Sequence, residues 1–109
     1  MTSSVVGRVA RSGSAVYKLT KWGVGGFSEA LRQELLEVDI RVSIVEPGAT
    51  ATELLSHNAE PVREAAARTF AGVERLEATD IADAIVDAIG QPPRVAINEL
   101  LVRPRRQER

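Results

Sequence analysis

Tyr17 and Lys21 bracket the stretch Tyr17-Lys18-Leu19-Thr20-Lys21, and Ser4 precedes the tyrosine by thirteen positions. In a helix this spacing projects a phenol and an ammonium from one face, about one turn apart. The residue types suit proton transfer. A phenol with a pKa of roughly 10 is a poor acid–base group near neutrality unless something favours its anion, and a cation does so. At about 4 Å and an effective dielectric near 20, the two charges would interact by about 4 kcal/mol. Ser4, ahead of the helix, would add a hydroxyl to the same site. Tyr-x-x-x-Lys alone is a frequent spacing, so the elements around it must decide what it means.

Residues 1–13 lack both periodicities, carry Gly7 and Gly13, and read as a loop opening on the end of a strand. From about 14 to 38 the pattern is helical, with Ser12 or Ser14 as cap and Val16, Leu19, Thr20, Val24, Phe27, Leu31 and Leu35 along one broad face. Gly23, Gly25 and Gly26 weaken that helix by about 1 kcal/mol each relative to alanine. Three glycines in four positions therefore point to close approach of another backbone, such as a partner helix across an interface.

A strand over about 40–46 turns wholly apolar at Ile44-Val45 and stops at Pro47-Gly48. Residues 50–72 hold short helical candidates and read as a mobile region. Thr79 is a cap for a helix over about 79–89 with Ile81, Ile85, Ala88 and Ile89 inward, ended by Gly90. A second strand over about 94–102 stops at Pro104. Helix, strand, helices, strand implies a parallel α/β sheet, and two such strands alone leave edges and one face bare. The pattern is that of part of a larger sheet.

At 109 residues the chain is one domain at most, with 44% hydrophobic and 27% charged residues, as in soluble globular proteins. A net charge of −1 gives no drive toward nucleic acid or anionic membrane. Absence of cysteine removes disulfides and thiolate metal sites, and the single histidine, His57, argues against zinc. No signal peptide or apolar run of membrane-spanning length is evident, which fits a cytoplasmic location. Trp22 reads as core or interface, and the arginine-rich tail, Arg103 to Arg109, as solvated.

The chain resembles the C-terminal half of a short-chain dehydrogenase/reductase. Thr2-Ser3-Ser4-Val5-Val6-Gly7 is similar to the segment closing that family's fifth strand, and the stretch from Ser14 to Leu36 to its active-site helix. Ile44 through Glu53 is similar to its sixth strand and Pro-Gly loop, and Ile97 through Pro104 to its closing strand, in the form found in members acting on 3-hydroxy acids. The resemblance implies a Rossmann-type doubly wound parallel sheet, of which the C-terminal part is present. It implies an oxidoreductase interconverting an alcohol and a carbonyl with NADP or NAD, NADP being slightly favoured.

Residue by residue, it makes Tyr17 the general acid/base, Lys21 the ribose contact that lowers the tyrosine pKa, and Ser4 the group that holds the substrate oxygen. Pro47 and Gly48 would shape the loop under the nicotinamide. Thr50 through its backbone and Thr52 through its hydroxyl would meet the carboxamide, and residues 52–72 would form the substrate lid. The family's Gly-rich dinucleotide turn, its cofactor-selecting residue and its catalytic asparagine have no counterpart in the 109 residues. The isolated chain is thus expected to be inactive. The expected partners are a small alcohol or carbonyl substrate and a second copy through the glycine-bearing helix, with no nucleic acid, membrane or metal. The alternative is a non-catalytic dimerisation module derived from the same family.

Overall fold

Two short parallel strands carry the fold: β1 (Ile44–Pro47) and β2 (Glu99–Val102), in register from Ile44 opposite Glu99 to Pro47 opposite Val102. The computed structural model describes residues 1–8, 12 and 15–108, the side chain of Leu55 excepted. Two sequence expectations, the Ser14 cap and the Gly13 loop glycine, lie outside the described residues. Residues 1–3 extend the sheet on the far side of β1. Thr2 bridges Val45 in parallel, the Ser3 N–H donates to the Val45 carbonyl at 2.7 Å, and the Val45 N–H donates to the Met1 carbonyl at 2.8 Å.

Both strands are shorter than their apolar patterns suggest, because side chains take the carbonyls that a longer ladder would use. The Arg41 guanidinium donates to the carbonyls of Ile89, Gln91, Pro92 and Val95, while the Ser43 hydroxyl donates to the Ile97 carbonyl at 2.7 Å. Pro92 and Pro93 supply no N–H to a ladder. Arg41 also sets a cation against the last carbonyls of the preceding helix, where the helix dipole favours one.

Helix α1 (Ala15–Glu34) lies on one side of the strands and ends in a tight turn (Leu36–Val38) closed by Asp39 in the left-handed region, φ 56°. The long connection between the parallel strands carries a 3-10 turn (Glu53–His57), α2 (Glu60–Thr69) and α3 (Ala78–Ile89). In α3, Ala88 is buried and Ile81, Ala84 and Ile85 half-buried, whereas Ile89 points outward. Its cap is Glu77 and not Thr79: the Asp80 carboxylate reaches back to accept from the Glu77 N–H at 2.8 Å.

The orientation of α1 corrects the expected apolar face. Its inward residues are Lys18, Lys21, Val24, Gly25, Ser28, Leu31 and Leu35, with Ser28 buried. Val16, Leu19 and Phe27 point outward, 76%, 72% and 57% exposed. On this inward face the segment before Val5 is tied to the helix backbone, the Ser3 hydroxyl donating to the Lys21 carbonyl at 3.0 Å.

The described core is correspondingly thin: Val5, Val42, Ile44, Val45 and Ala88. The accessible surface of 7716 Å² exceeds by roughly 1,800 Å² the value of about 5,900 Å² usual for a monomer of this mass. The radius of gyration, 15.3 Å, likewise exceeds the roughly 13 Å of a compact chain of this length.

Candidate active site

Ser4, Pro47 and Arg103 each follow, or end, one of three parallel segments, so the turn after Ser4, the Pro47-Gly48 loop and the tail all leave the same carboxyl end of the sheet. In open α/β sheets that end is where ligands bind.

Ser4 has extended backbone (φ −165°, ψ 159°) and caps the 3-10 turn Val5–Gly7, its Oγ accepting from the Val6 N–H at 3.3 Å. A hydroxyl that accepts one bond keeps its own hydrogen for a ligand. Three contacts hold this turn on α1 beside Lys21. The Ser3 hydroxyl donates to the Lys21 carbonyl, and Trp22 Nε1 donates to the Val6 carbonyl at 3.0 Å. Gly7 lies so close that an added Cβ would stand 3.0 Å from Ser3 Oγ and 3.2 Å from the Lys21 oxygen. One turn back along the helix, the Lys21 ammonium sits over the Tyr17 ring, 5.5 Å from its centroid. At a solvent-exposed ring such a cation–π contact contributes about 0.5–1 kcal/mol.

Beyond β1 the loop is tied on several sides. The Gly48 N–H donates to the Val102 carbonyl at 2.7 Å, and the Ala49 N–H to Gln107 Oε1 at 2.8 Å. Thr50 bridges Leu76 in parallel, with the Ala51 N–H donating to the Leu76 carbonyl at 2.8 Å and the Leu76 N–H to the Ala49 carbonyl at 3.0 Å. That pairing turns the Thr50 amide itself to the opposite side. The Thr50 hydroxyl bonds back to the Gly48 carbonyl at 3.1 Å. Thr52 is exposed, just before the 3-10 turn at Glu53.

A charged cluster joins the turn after Ser4 to both strands, at Glu46 near the end of β1 and at Glu99 at the start of β2. Glu46, buried in β1 immediately before Pro47, accepts from Arg8 Nε, and Arg8 also donates to Glu99 at 2.6 Å. The two carboxylates hold the Arg8 guanidinium pKa above its usual value, chiefly by hydrogen bonding to Glu46. A shallow recess of about 360 Å³ lies away from this end, lined by Gly25, Ser28, Arg32, Val42 and Asn98 among others. It contains none of Ser4, Tyr17, Lys21, Pro47, Gly48, Thr50 or Thr52.

Residues 1–63 match the family described as short chain dehydrogenase. The chain belongs to that family. It is 39% identical over 105 residues to glycine betaine reductase of Emericella nidulans, covering 94% of this chain and 8% of that protein. It is 37% identical to an uncharacterized oxidoreductase of Staphylococcus saprophyticus, covering 96% of this chain and 43% of the relative. It is 33% identical to the NADP-dependent 3-hydroxy acid dehydrogenase of Schizosaccharomyces pombe, covering 95% and 40%.

Among solved structures, the closed form of serine dehydrogenase complexed with NADP+ superposes with a TM-score of 0.81 at 29% identity, over 93% of this chain and 41% of that one. A small-chain dehydrogenase in complex with NADPH gives 0.74 at 27%, over 94% and 47%. These similarities establish the Rossmann-type α/β fold. The chain spans less than half the length of each of these relatives.

Within this short-chain dehydrogenase frame, Ser4, Tyr17 and Lys21 share one junction of turn and helix, and Pro47, Gly48 and Thr50 belong to the loop at the same sheet end. Among the described residues no hydrogen bond joins Thr52 to either group. The sequence reading passed over Arg8, Glu46 and Gln107. A glutamate inside the apolar run Ile44-Val45-Glu46 is the signal that a buried cation partner exists. Gln107 had no such signal, since the tail reads as solvated, yet Pro104 is buried and Gln107 meets the loop. Trp22 does not fill the core, being 52% exposed, but holds the Ser4 turn through its indole N–H.

Proposed function

We propose that this chain carries the proton-transfer and nicotinamide-facing part of an NAD(P)-dependent alcohol–carbonyl oxidoreductase. The observation that supports the reading best is the docking of the Ser4 turn onto the Lys21 backbone, one helical turn from Tyr17, at the sheet end that also bears the Pro47-Gly48 loop. In reduction, the Tyr17 hydroxyl gives its proton to the substrate carbonyl oxygen, and in oxidation the phenolate takes it from the alcohol. The Ser4 hydroxyl donates to that same oxygen, and the Lys21 ammonium, held over the Tyr17 ring, contacts the nicotinamide ribose. NAD(P), when bound, supplies or accepts the hydride at the substrate carbon.

The residues present fit the nicotinamide half of the cofactor. The Thr50 amide has no hydrogen-bond partner among the described residues, and the Lys21 ammonium has no carboxylate partner among them. Thr50 and Thr52 would hold the carboxamide. NADP is the preferred cofactor and a 3-hydroxy acid the preferred substrate, by similarity to the relatives whose names carry those terms. The isolated chain turns over little, because none of its residues is assigned to the adenosine and pyrophosphate.

Reduced nicotinamide mononucleotide, NMNH, tests the reading directly. It should shift the amide resonances of Thr50, Thr52 and Lys21, with NADPH binding no more than about threefold tighter, since each tenfold needs about 1.4 kcal/mol of further contacts. No response at these three positions at millimolar NMNH overturns the assignment. Micromolar NADPH affinity with carbonyl reduction overturns the inactivity.

A second reading is favoured by the bare outer face of α1. Val16, Leu19 and Phe27 flank Gly23 and Gly26, and an added Cβ at either glycine would meet nothing within 4 Å in this chain. The surplus surface is about twice the roughly 800 Å² that each partner of a standard interface covers. A second copy is the proposed cover, and a clean monomer by light scattering at high concentration counts against it.

A further inference from the structure

The glycine at position 48 has a reason that the Pro-Gly pattern does not disclose. Its φ is not positive, so no backbone strain demands glycine. Space does. A Cβ there would fall inside van der Waals contact of Gln107 Oε1 and stand 3.1 Å from both Arg103 Cγ and Pro104 Cδ. The room beside Gly48 is filled by the chain's own tail, which turns back after β2 with the Gln107 N–H donating to the Pro104 carbonyl at 2.9 Å.

From that turn Gln107 presents its amide oxygen to the Ala49 N–H at 2.8 Å. A backbone N–H only donates, so the oxygen and not the nitrogen of the amide faces it. The Gly48, Ala49 and Ala51 amides are thereby each spoken for, by Val102, Gln107 and Leu76, and the Thr50 amide alone in this run is presented outward.

We propose that Gln107 is a positioning residue: its amide oxygen pins the Ala49 N–H, so that the tail clamps the Pro47–Thr50 loop and fixes the direction of the Thr50 amide toward a nicotinamide carboxamide. The clamp rests on the cofactor reading above only for that last step.

Amide hydrogen exchange on the 15N-labelled chain tests the clamp, with the Val45 amide, paired to the Met1 carbonyl, as internal reference. Gln107→Leu, which removes the acceptor, should speed Ala49 exchange roughly 3–10-fold relative to Val45, the usual worth of one hydrogen bond. Gln107→Glu keeps an oxygen at the same reach and should preserve the protection. Gly48→Ala should reproduce the Leu variant by displacing the tail with Gln107 intact. Ala49 exchange unaltered in Gln107→Leu, or rising only in step with Val45, overturns the clamp.

The same samples titrated with NMNH test the positioning. The Thr50 response should weaken in Gln107→Leu and return in Gln107→Glu, which a purely structural role does not predict. A Thr50 response equal in all three overturns the positioning step. No Thr50 response even in the unsubstituted chain overturns the cofactor reading instead, and Ala49 exchange still decides the clamp.

Discussion

The carboxyl end of the sheet and the outer face of α1 are held in opposite ways. At the sheet end, polar side chains tie one segment to the next: the Ser3 hydroxyl to the Lys21 carbonyl, the Trp22 indole to the Val6 carbonyl, Arg8 to Glu46, and the Gln107 amide oxygen to the Ala49 N–H. On the outer face of α1, the large apolar side chains of Val16, Leu19 and Phe27 touch solvent. A part of a fold keeps its internal specificity where its own residues converge and loses it where another layer should lie.

The largest effect should come from breaking the charged tie at the sheet end. Glu46 is 5% exposed, and Arg8 is its cation. Removing one member of a buried pair strands the other, at about 3–5 kcal/mol when both are buried. Arg8 is partly exposed, so Arg8→Ala should cost about 2–3 kcal/mol, read from the urea midpoint. Adding Glu46→Gln should recover part of the loss, because a neutral amide needs no counter-charge. If Arg8→Ala is no more costly than Leu19→Ala on the bare face, the contrast between the two regions fails.

The difference also explains what the sequence disclosed. Tyr17, Lys21, Ser4 and Pro47-Gly48 could be named from the sequence as candidates because they fall in stretches that resemble the short-chain family, and the structure brings the Ser4 turn to the Lys21 backbone. Asp39 closes the turn after α1 in the left-handed conformation, φ 56°, which aspartate tolerates. The rotation of α1 was not legible in the sequence. Apolar periodicity assigns Val16, Leu19 and Phe27 to a covered face, but it does not say which layer would provide the cover. Ser28, polar and buried, gave no periodic signal, because its hydroxyl is satisfied within the helix by the Val24 carbonyl at 2.7 Å. Gln107 escaped because its partner is a backbone amide, invisible in any pattern of side chains.

Glycine-to-alanine substitutions should have opposite signs in the two regions. Gly7→Ala forces a Cβ against Ser3 Oγ and the Lys21 carbonyl, and a helix backbone yields little, so a loss of about 1–2 kcal/mol is expected. The single tryptophan reports it. With the Val6 carbonyl displaced, the Trp22 indole N–H resonance should move and its emission shift to the red. Gly23→Ala meets nothing within 4 Å and should raise the monomer's stability by up to about 1 kcal/mol, the helix propensity of alanine over glycine. Equal losses in both variants would show that the outer face is already covered in solution.

The smallest effect belongs to an ion pair within α1, at the open recess on its inward side. The Glu29 carboxylate accepts from Arg32 at 2.7 and 2.8 Å and from Gln33 at 2.8 Å, which lowers its pKa from 4.5 to about 2, chiefly through the Arg32 hydrogen bonds. A depressed folded-state value means that whatever the pair adds to stability is complete above pH 4.5 and is lost as the pH falls toward 2. Both groups are open to water, so solvent and salt screening leave little to lose. Glu29→Gln should move the thermal midpoint at pH 7 by less than about 1 °C. Carboxyl-carbon titration should place Glu29 near pH 2, returning toward 4.5 in Arg32→Ala or at high salt. A shift that survives molar salt would mean that this edge of α1 is shielded from solvent, and the contrast with the sheet end would narrow.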